Sequence, residues 1–221
     1  MDNIKLIAPC LFGVESIAAD EFRRMGFESV TAENGRVKLS GGINMLARAN
    51  ICSRYAERIM IDVGEFRAAT FTELFDGVKS LPWEDYIGKY DAFPVNGRSI
   101  DSALFSIPDC QSIVKKAIVE RLKQKYHISH FEETGAEYRV RFFIYKNVAS
   151  LMIDTSGEGL HKRGYRRKSN DAPLKETLGA AMCDLARIYP DTLMFDPFCG
   201  SGTLLIEAAL KATNTAPGLR R

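Results

Sequence analysis

The first 66 positions alternate between short apolar runs and segments whose apolar residues recur at helical spacing. The second kind is clear at Gly13–Met25, where apolar side chains lie on one helical face and charged ones on the other. Asn34-Gly35 separates two β-type runs, as in a two-residue hairpin. The pattern predicts a strand at Ile4–Cys10, a helix at Gly13–Met25, a hairpin at Ser29–Leu39, a helix at Ile43–Tyr55 and a strand at Arg58–Val63. This β-α-β-β-α-β order is that of a ferredoxin-like unit, which we expect over residues 1–66.

A second block of mixed elements follows over residues 67–155. Thr70 and Glu73 have the spacing of a capping box at the start of a helix. Asp109 precedes a strongly amphipathic helix, and Lys146-Asn147 is typical of a hairpin turn. The predicted helices are Phe71–Lys79 and Cys110–Tyr126, and the predicted strands are Phe93–Ser99, Tyr138–Tyr145 and Ala149–Asp154. We expect a second α+β unit here.

The remaining residues fall into a glycine-containing linker, 156–172, and a block with a different pattern, 173–221. In this block Pro173 suits the first position of a helix that Asn170 or Asp171 would cap. The pattern predicts a helix at Pro173–Ile188, a strand at Thr192–Phe195, a loop at Asp196–Gly202 and a helix at Leu204–Thr213. One strand and two helices cannot cover both faces of a parallel sheet, so we expect only the beginning of an α/β, Rossmann-like domain.

Composition and charge narrow the class of protein. Apolar residues make up 46% of the 221 positions and charged residues 26%, which excludes a disordered chain. The net charge of +2 means that only local clusters could attract nucleic acid. Five cysteines without a C-x-x-C pair, beside three histidines, argue against a zinc site and a disulfide framework. No run of 18 apolar residues is present, so we expect a cytoplasmic protein with no membrane or metal partner.

The strongest chemical signal is the sequence FDPFCGSGTLLIEAAL, Phe195–Leu210. A strand would end at an acidic residue and turn through two glycines into a helix, whose first N–H groups favour electronegative ligand atoms. Leu205 stands where the dinucleotide fingerprint needs its last glycine, and the G-K-[ST] ending of a phosphate loop is missing. On these features alone, a tight turn without a ligand stays open as an alternative.

The loop and four further segments resemble the THUMP-domain-containing RNA methylase family. The resembling segments are Ser156–Arg166, Ala172–Leu178, Asp196–Thr203, Asn214–Gly218 and, in the THUMP portion, Ile107–Lys116. The resemblance implies a class I methyltransferase that uses S-adenosylmethionine and, as in bacterial members, methylates guanine N2 in large-subunit ribosomal RNA. The family's Asn/Asp-Pro-Pro-Tyr motif does not occur in these residues, so we expect the chain as given to be inactive.

The same resemblance assigns the cofactor loop residue by residue. Asp196 would accept a hydrogen bond from the methionine ammonium, although a local helix-terminal role is the alternative. Cys199 is not expected to act as a nucleophile, because methylation of an exocyclic amine needs no covalent enzyme intermediate. The implied cofactor-binding residues are Asp196, Pro197, Phe198, Cys199, Gly200, Ser201, Gly202 and Thr203.

Two basic clusters are candidates for RNA contacts. Leu160–Lys168 has five Lys or Arg in nine residues around a tyrosine, and the helix Gln111–Tyr126 has several lysines. Such cations can neutralise phosphates, and an aromatic ring among them can stack on an unpaired base. A solvated helix face and a plain connector are the respective alternatives. The candidate RNA-binding residues are Lys115, Lys116, Lys162, Arg163, Tyr165, Arg166, Arg167 and Lys168.

Taken together, the sequence predicts an RNA methyltransferase that transfers a methyl group to an exocyclic base nitrogen. Three alternatives remain open at this point, of which a nucleotide-binding enzyme of another class is the least favoured because the phosphate-binding motifs are missing. An adenine-N6 DNA methyltransferase would share the cofactor loop, and an RNA-binding module without catalysis would fit the α+β units of residues 1–155. The THUMP-like segment argues against the DNA enzyme.

Overall fold

The computed structural model describes residues 3–166 and 173–221, and these residues form two compact units. The first unit combines Met1–Ile59 with Ser156–Arg221, and the second is Met60–Thr155. The chain therefore leaves the first unit and returns to it after the second is complete.

The N-terminal part of the first unit contains three antiparallel strands and two helices. The strands β1 (Ile4–Pro9), β2 (Glu28–Glu33) and β3 (Arg36–Gly41) have the spatial order β2-β3-β1, with Leu6 opposite Leu39. The helices are α1 (Glu15–Arg24) and α2 (Ile43–Cys52). The apolar face of α1 is buried, and the chain leaves this helix through Gly26 at φ +88°.

The second unit has four strands and two long helices. Its strands are β4 (Met60–Arg67), β5 (Val95–Ile100), β6 (Val140–Tyr145) and β7 (Val148–Asp154), in the order β4-β7-β6-β5. The β5–β6 pair is parallel and the other two pairs are antiparallel. The helices are α3 (Phe71–Ser80), which begins with the expected capping box, and α4 (Ile107–Tyr126). Their inner faces bury Trp83 and Ile118 in a core that lies wholly within this unit.

The C-terminal part of the first unit contains two helices, α5 (Glu176–Leu185) and α6 (Thr203–Ala212), which pack against each other. Cys183, Ile188 and Ala208 form the buried centre of this contact. Gly179 permits the close approach, since a β-carbon there would lie 3.2 Å from the Thr203 methyl group. The start of α6 is therefore fixed against α5.

The fold class predicted from the sequence is confirmed, and several element boundaries need correction. The strand predicted at Arg58–Val63 lies at Met60–Arg67, and Asp109 lies inside the first turn of α4, whose cap position is Ser106. The helix predicted from Pro173 begins at Glu176 because Lys175 is extended; its expected caps, Asn170 and Asp171, lie outside the described residues. The boundaries 1–66, 67–155, 156–172 and 173–221 remain a prediction.

The strand predicted at Thr192–Phe195 is absent from the structure, and these residues form an irregular segment. Leu193 is 97% exposed and Phe195 is 85% exposed. A parallel strand needs neighbouring strands with which to form its backbone hydrogen bonds. The described residues between 173 and 221 form no strand, so the apolar run lacks the partner that its pattern indicates.

Residues 156–166 do not behave as the solvated linker that their composition predicts. Leu160 and Arg163 are both 2% exposed, and Ser156 is 6% exposed. Ser156 accepts a hydrogen bond from the Ile59 backbone N–H at 2.8 Å, and its hydroxyl donates to Asn50 at 2.7 Å. This segment is an integral part of the first unit.

Candidate functional site

The loop before α6 has the backbone shape that its two glycines predicted. Gly200 has φ +54° and Gly202 has φ +75°, a region that side chains with a β-carbon rarely adopt. The Gly202 N–H donates to the Cys199 carbonyl at 2.7 Å, which closes the turn. The Phe198 N–H donates to the Asp196 carboxylate at 3.0 Å. Asp196 and the two glycines, Gly200 and Gly202, therefore belong to one compact turn.

The end of this turn presents backbone donors. Gly202 occupies the cap position of α6 and has no side chain with which to cap the first N–H groups. Such uncapped donors favour an electronegative ligand atom. The residues from Pro197 to Gly200 are exposed, and Asp196, Ser201 and Gly202 are partly exposed. The loop from Asp196 to Gly202 is thus open to solvent, whereas Thr203 is buried; that these residues bind the cofactor stays a prediction.

Arg166 connects the starts of α5 and α6. Its Nη2 donates at 2.8 Å both to the Leu174 carbonyl and to the Thr203 hydroxyl, and its Nη1 lies 3.2 Å from the Glu176 carboxylate. Thr203 is 2% exposed and follows Gly202 directly. The guanidinium therefore holds the first residue of α6 and, through it, the end of the glycine turn.

A second interaction secures α6 one turn later. Glu207 is fully buried, and its Oε1 lies 3.5 Å from Nε of Arg163 and accepts a hydrogen bond from the Tyr165 hydroxyl at 2.9 Å. Burial raises the pKa of Glu207, while the positive charge of Arg163 acts in the opposite direction. Arg163 also donates to the carbonyls of Ser53, Arg54 and Leu160. Three separate stretches of chain are joined at this one guanidinium.

A further buried carboxyl lies among the same residues. Glu21 accepts hydrogen bonds from the Ser53 hydroxyl and the Arg54 N–H, both at 2.8 Å. Burial raises its pKa to about 7, against the opposing effect of these bonds and of the nearby guanidiniums. The Arg54 side chain continues to the carbonyls of Leu210 and Thr215 at the end of α6. The helix is thus held at both ends.

Glu57 organises the outer edge of this region. It accepts hydrogen bonds from the Thr177 hydroxyl at 2.6 Å and from Lys175 at 3.1 Å, and it lies 3.3 Å from His161. Burial alone would raise the pKa of Glu57, but these donors outweigh it and lower the pKa. Glu57 therefore connects its own loop with Lys175 and Thr177 at the start of α5.

Arg163, one of the candidate RNA-binding residues, is buried, which corrects the expectation that it contacts phosphates or bases, whereas Tyr165 and Arg166 are partly exposed and remain candidates. A side chain without solvent access cannot reach a phosphate. Tyr165 bonds to Glu207, and Arg166 bonds to Glu176 and Thr203. The basic pattern of this segment therefore reflects internal carboxylates as well as its surface.

The other five candidates differ in their exposure. Lys162 is exposed and pairs with Glu158 at 3.0 Å. Lys115 donates to Glu133 and to the Phe93 carbonyl and lies above the Phe93 ring, whereas Lys116 is exposed. Arg167 and Lys168 lie outside the described residues. Lys116 and Lys162 are therefore the described members of the set that remain most available to a ligand.

Sequence reasoning missed the buried carboxylates Glu21, Glu176 and Glu207 and the partly buried Glu57. A signal for Glu207 was present, because it is the single charged residue in the apolar run LLIEAAL and lies four positions after Thr203. Glu57 lies in a loop and gave no such signal.

The described part of the chain contains neither a cluster of metal-ligating side chains nor a membrane-spanning helix. Among residues 3–166 and 173–221, no group of three or more His, Cys, Asp or Glu side chains could hold a metal ion. All five cysteines are free thiols, and Cys199 is exposed in the glycine loop. No helix in the described residues is both long enough and apolar enough to cross a membrane.

Comparison with known families matches three domain profiles to consecutive parts of the chain. The profile described as an RlmL ferredoxin-like domain matches residues 5–60, and the THUMP domain matches residues 68–154. The profile described as an RMKL-like methyltransferase domain matches residues 163–221, which include the glycine loop, α5 and α6.

Individual relatives are similar over the whole chain. "Putative RNA methyltransferase YpsC" of Bacillus subtilis (strain 168) is 47% identical over 223 residues, covering 100% of this chain and 58% of that protein. A structure described as "a predicted N6-adenine-specific DNA methylase" from Listeria monocytogenes is 49% identical, with a TM-score of 0.95 and coverage of 100% and 58%. The structure of "SMU.472, a putative methyltransferase complexed with SAH" is 42% identical, with a TM-score of 0.93 and coverage of 100% and 59%.

These relatives are longer than the chain, which spans less than two thirds of each. The similarity nevertheless includes both compact units and the glycine loop. The three matches, in this order along one chain, identify an RlmL ferredoxin-like domain, a THUMP domain and an RMKL-like methyltransferase domain, the domains that the resemblance in the sequence predicted.

Proposed function

We propose that this protein takes part in methyl transfer from S-adenosylmethionine to an exocyclic base nitrogen of RNA, with guanine N2 of large-subunit ribosomal RNA as the acceptor. The observation that carries the proposal is the turn at Asp196–Thr203, which opens α6 at Gly202 with φ +75° inside the stretch matched by the methyltransferase profile. A relative that is 42% identical was solved with SAH, the product that S-adenosylmethionine leaves after transfer.

The residues of the loop fit the cofactor. A β-carbon at Gly200 would meet no neighbouring atom closer than 4.0 Å, so the outer side of the turn offers open space. Asp196 offers a carboxylate to the ammonium of the methionine part, and the first N–H groups of α6 offer donors. The positively charged sulfur of the cofactor supplies a methyl group that is already strongly electrophilic.

The contribution of this chain is therefore to bind and orient. Alignment of nitrogen, methyl carbon and sulfur accounts for much of the rate gain in such a transfer, so a rigid loop matters more than an acid or base. Arg166 and Glu207 provide that rigidity, since they fix the first two turns of α6 behind the glycines. The acceptor base must be unpaired or flipped out of a helix to reach the methyl group.

RNA as the acceptor is supported by the THUMP match over residues 68–154 and by the name of the B. subtilis relative. Exposed Lys116 and Lys162 offer positive charge to phosphates. The name of the L. monocytogenes structure indicates DNA adenine instead. The choice of acceptor is thus the part of the proposal that an experiment must decide.

A hybrid protein provides the experiment. In the hybrid, this chain replaces the part of the B. subtilis relative that aligns with it over 223 residues. The purified hybrid is then incubated with tritiated S-adenosylmethionine and either ribosomal RNA or DNA as the acceptor. We expect label in RNA, recovered as N2-methylguanosine after digestion and mass spectrometry. The unaltered relative controls for the assay. Label recovered as N6-methyladenine from DNA, with none in RNA, would contradict the proposal.

A further inference from the structure

A cleft of about 1190 Å³ lies within the first compact unit, apart from the glycine loop. The C-terminal ends of α1, α5 and α6 border it, together with α2 and the segment that follows α5. Small-molecule sites are usually about 300–1,000 Å³ and mostly apolar. This cleft is larger than that range and is lined by many charged side chains, which favours a charged polymer as its occupant.

The lining of the cleft contains more positive than negative side chains. Five cations and three acids line it, namely Arg24, Arg48, Arg54, Arg187 and Lys211 with Asp20, Glu21 and Asp184. Each acid already has a partner in the protein. Asp20 pairs with Arg23 at 2.6 Å, Asp184 pairs with Lys211 at 2.5 Å and accepts from Tyr55, and Glu21 is held by Ser53.

The positively charged side chains of the lining have fewer hydrogen bonds and ion pairs per residue within the protein than the acids have. Arg24 and Arg187 are exposed, and within residues 3–166 and 173–221 neither side chain makes a hydrogen bond or an ion pair, although the positive charge of Arg24 acts on Asp184. Arg48 donates one bond to the Met25 carbonyl, and Nη1 of Arg54 is buried without a partner among the described residues. Arg187 has φ +52°, the left-handed conformation with which the chain leaves α5 after Ala186. The exposed guanidiniums of Arg24, Arg48 and Arg187 therefore have donors left for an outside acceptor, whereas Nη1 of Arg54 is enclosed by the protein.

We propose that this cleft binds a single-stranded segment of RNA, with Arg24, Arg48 and Arg187 contacting successive phosphates. Tyr189, 63% exposed beside Arg187, offers a ring on which an unpaired base can stack. The inference rests on the proposed function for its choice of RNA as the polyanion. It assigns RNA binding to a surface other than the THUMP helix α4 and the segment Leu160–Lys168.

A purely structural role for these arginines makes a different prediction. Cations near the C-terminal end of a helix stabilise it by about 0.3–1 kcal/mol, and both Arg24 and Arg187 lie near such ends. If that were their whole role, replacing them would lower the melting temperature and leave RNA affinity unchanged.

The test is a salt titration of the 221-residue chain against labelled oligouridine, followed by fluorescence anisotropy. The cleft variant is Arg24→Gln with Arg187→Gln, and its matched control is Lys5→Gln with Arg220→Gln, which removes two exposed charges elsewhere in the same unit. We expect the cleft variant to reduce the slope of log affinity against log salt by about 1.4, since each phosphate of a single strand that is no longer neutralised reduces it by about 0.7.

Further variants separate charge, stacking and folding. Arg24→Lys with Arg187→Lys keeps both charges and should restore most of the slope, while Tyr189→Ala should weaken binding without changing the slope. Melting curves identify any variant that fails to fold. Equal slopes and affinities for the cleft variant and wild type, or no binding by wild type, would overturn the proposal. Methyl transfer by the hybrid is a separate readout, so failure of the cleft leaves the proposed reaction standing.

Discussion

Glu21 shows how strongly a single position can couple stability to pH. The residue is 6% exposed, and burial raises the pKa of its carboxyl to about 7 from the ordinary 4.5. Between these two values the folded protein keeps a proton that the unfolded chain has lost. The free energy of unfolding therefore falls as pH rises through this window.

We predict that Glu21→Gln removes most of this pH dependence. Wild type should lose roughly 1–3 kcal/mol between pH 5 and pH 8, at about 1.4 kcal/mol for each unit by which the pKa is raised. Urea unfolding at the two pH values measures the loss, and exposed Glu28, changed to Gln, is the matched control. An unchanged pH dependence in Glu21→Gln would show that another group carries it.

The sequence was also least informative about single residues, in particular about whether a charged side chain faces the interior or the solvent. Two glycines and an acid in Asp196–Gly202 correctly predicted a tight turn, because positive φ values are nearly a property of glycine itself. The inward direction of Arg163 could not be predicted, since its partner Glu207 lies 44 positions away in the sequence. Arginines that pair internally and arginines that face solvent look alike in a one-dimensional pattern.

At the scale of elements, α6 depends on the buried pair between Arg163 and Glu207. Their side chains are 2% and 0% exposed, so neither charge has water as an alternative partner. Removing one member of a buried pair leaves the other uncompensated. The exposed pair Lys162–Glu158, in the same segment, lacks this penalty.

We predict that Glu207→Gln lowers the free energy of unfolding by roughly 3 kcal/mol at pH 8. The control Glu158→Gln, whose side chain is 68% exposed, should change it by less than about 0.5 kcal/mol. Chemical denaturation of the two variants beside wild type gives both numbers. Similar losses in the two variants would mean that burial of the pair is not what holds α6.

Most helices, strands and turns could be predicted because residues that are close together in the sequence determine where these elements begin and end. The capping box at Thr70 and the turn at Lys146-Asn147 were both predicted from neighbouring residues. Thr192–Phe195 is the exception, because a strand also requires a partner that its own sequence does not contain. Element prediction thus failed where the deciding interaction was not local.

At the scale of the whole molecule, the second unit has its own core. The buried side chains packed between its sheet and helices all lie from Ala68 to Ile153. By contrast, residues of the first unit before Ile59 depend on the chain after Ser156, since Arg54 bonds to Leu210 and Thr215. The sequence indicated a series of consecutive units, and this return of the chain was not visible in it.

We predict that a fragment of residues 60–155 unfolds cooperatively by itself, with circular dichroism and tryptophan fluorescence giving the same midpoint. Trp83 is fully buried in this fragment and reports on its core. A fragment of residues 1–59 should show no cooperative transition, because Arg54 loses its hydrogen bonds with Arg163, Leu210 and Thr215. The reverse pattern would contradict the division into these two units.

The central claim, that Asp196–Thr203 binds the cofactor, can be tested most directly by titrating S-adenosylhomocysteine into the isotopically labelled chain and following amide chemical shifts. Gly202→Ala and Gly157→Ala impose the same strain, at φ +75° and +67°, and in neither case does the new β-carbon meet an atom closer than 3.8 Å. We predict shifts confined to residues 196–207, retained in Gly157→Ala and lost in Gly202→Ala. Shifts located elsewhere, or equal shifts in the two variants, would contradict the account.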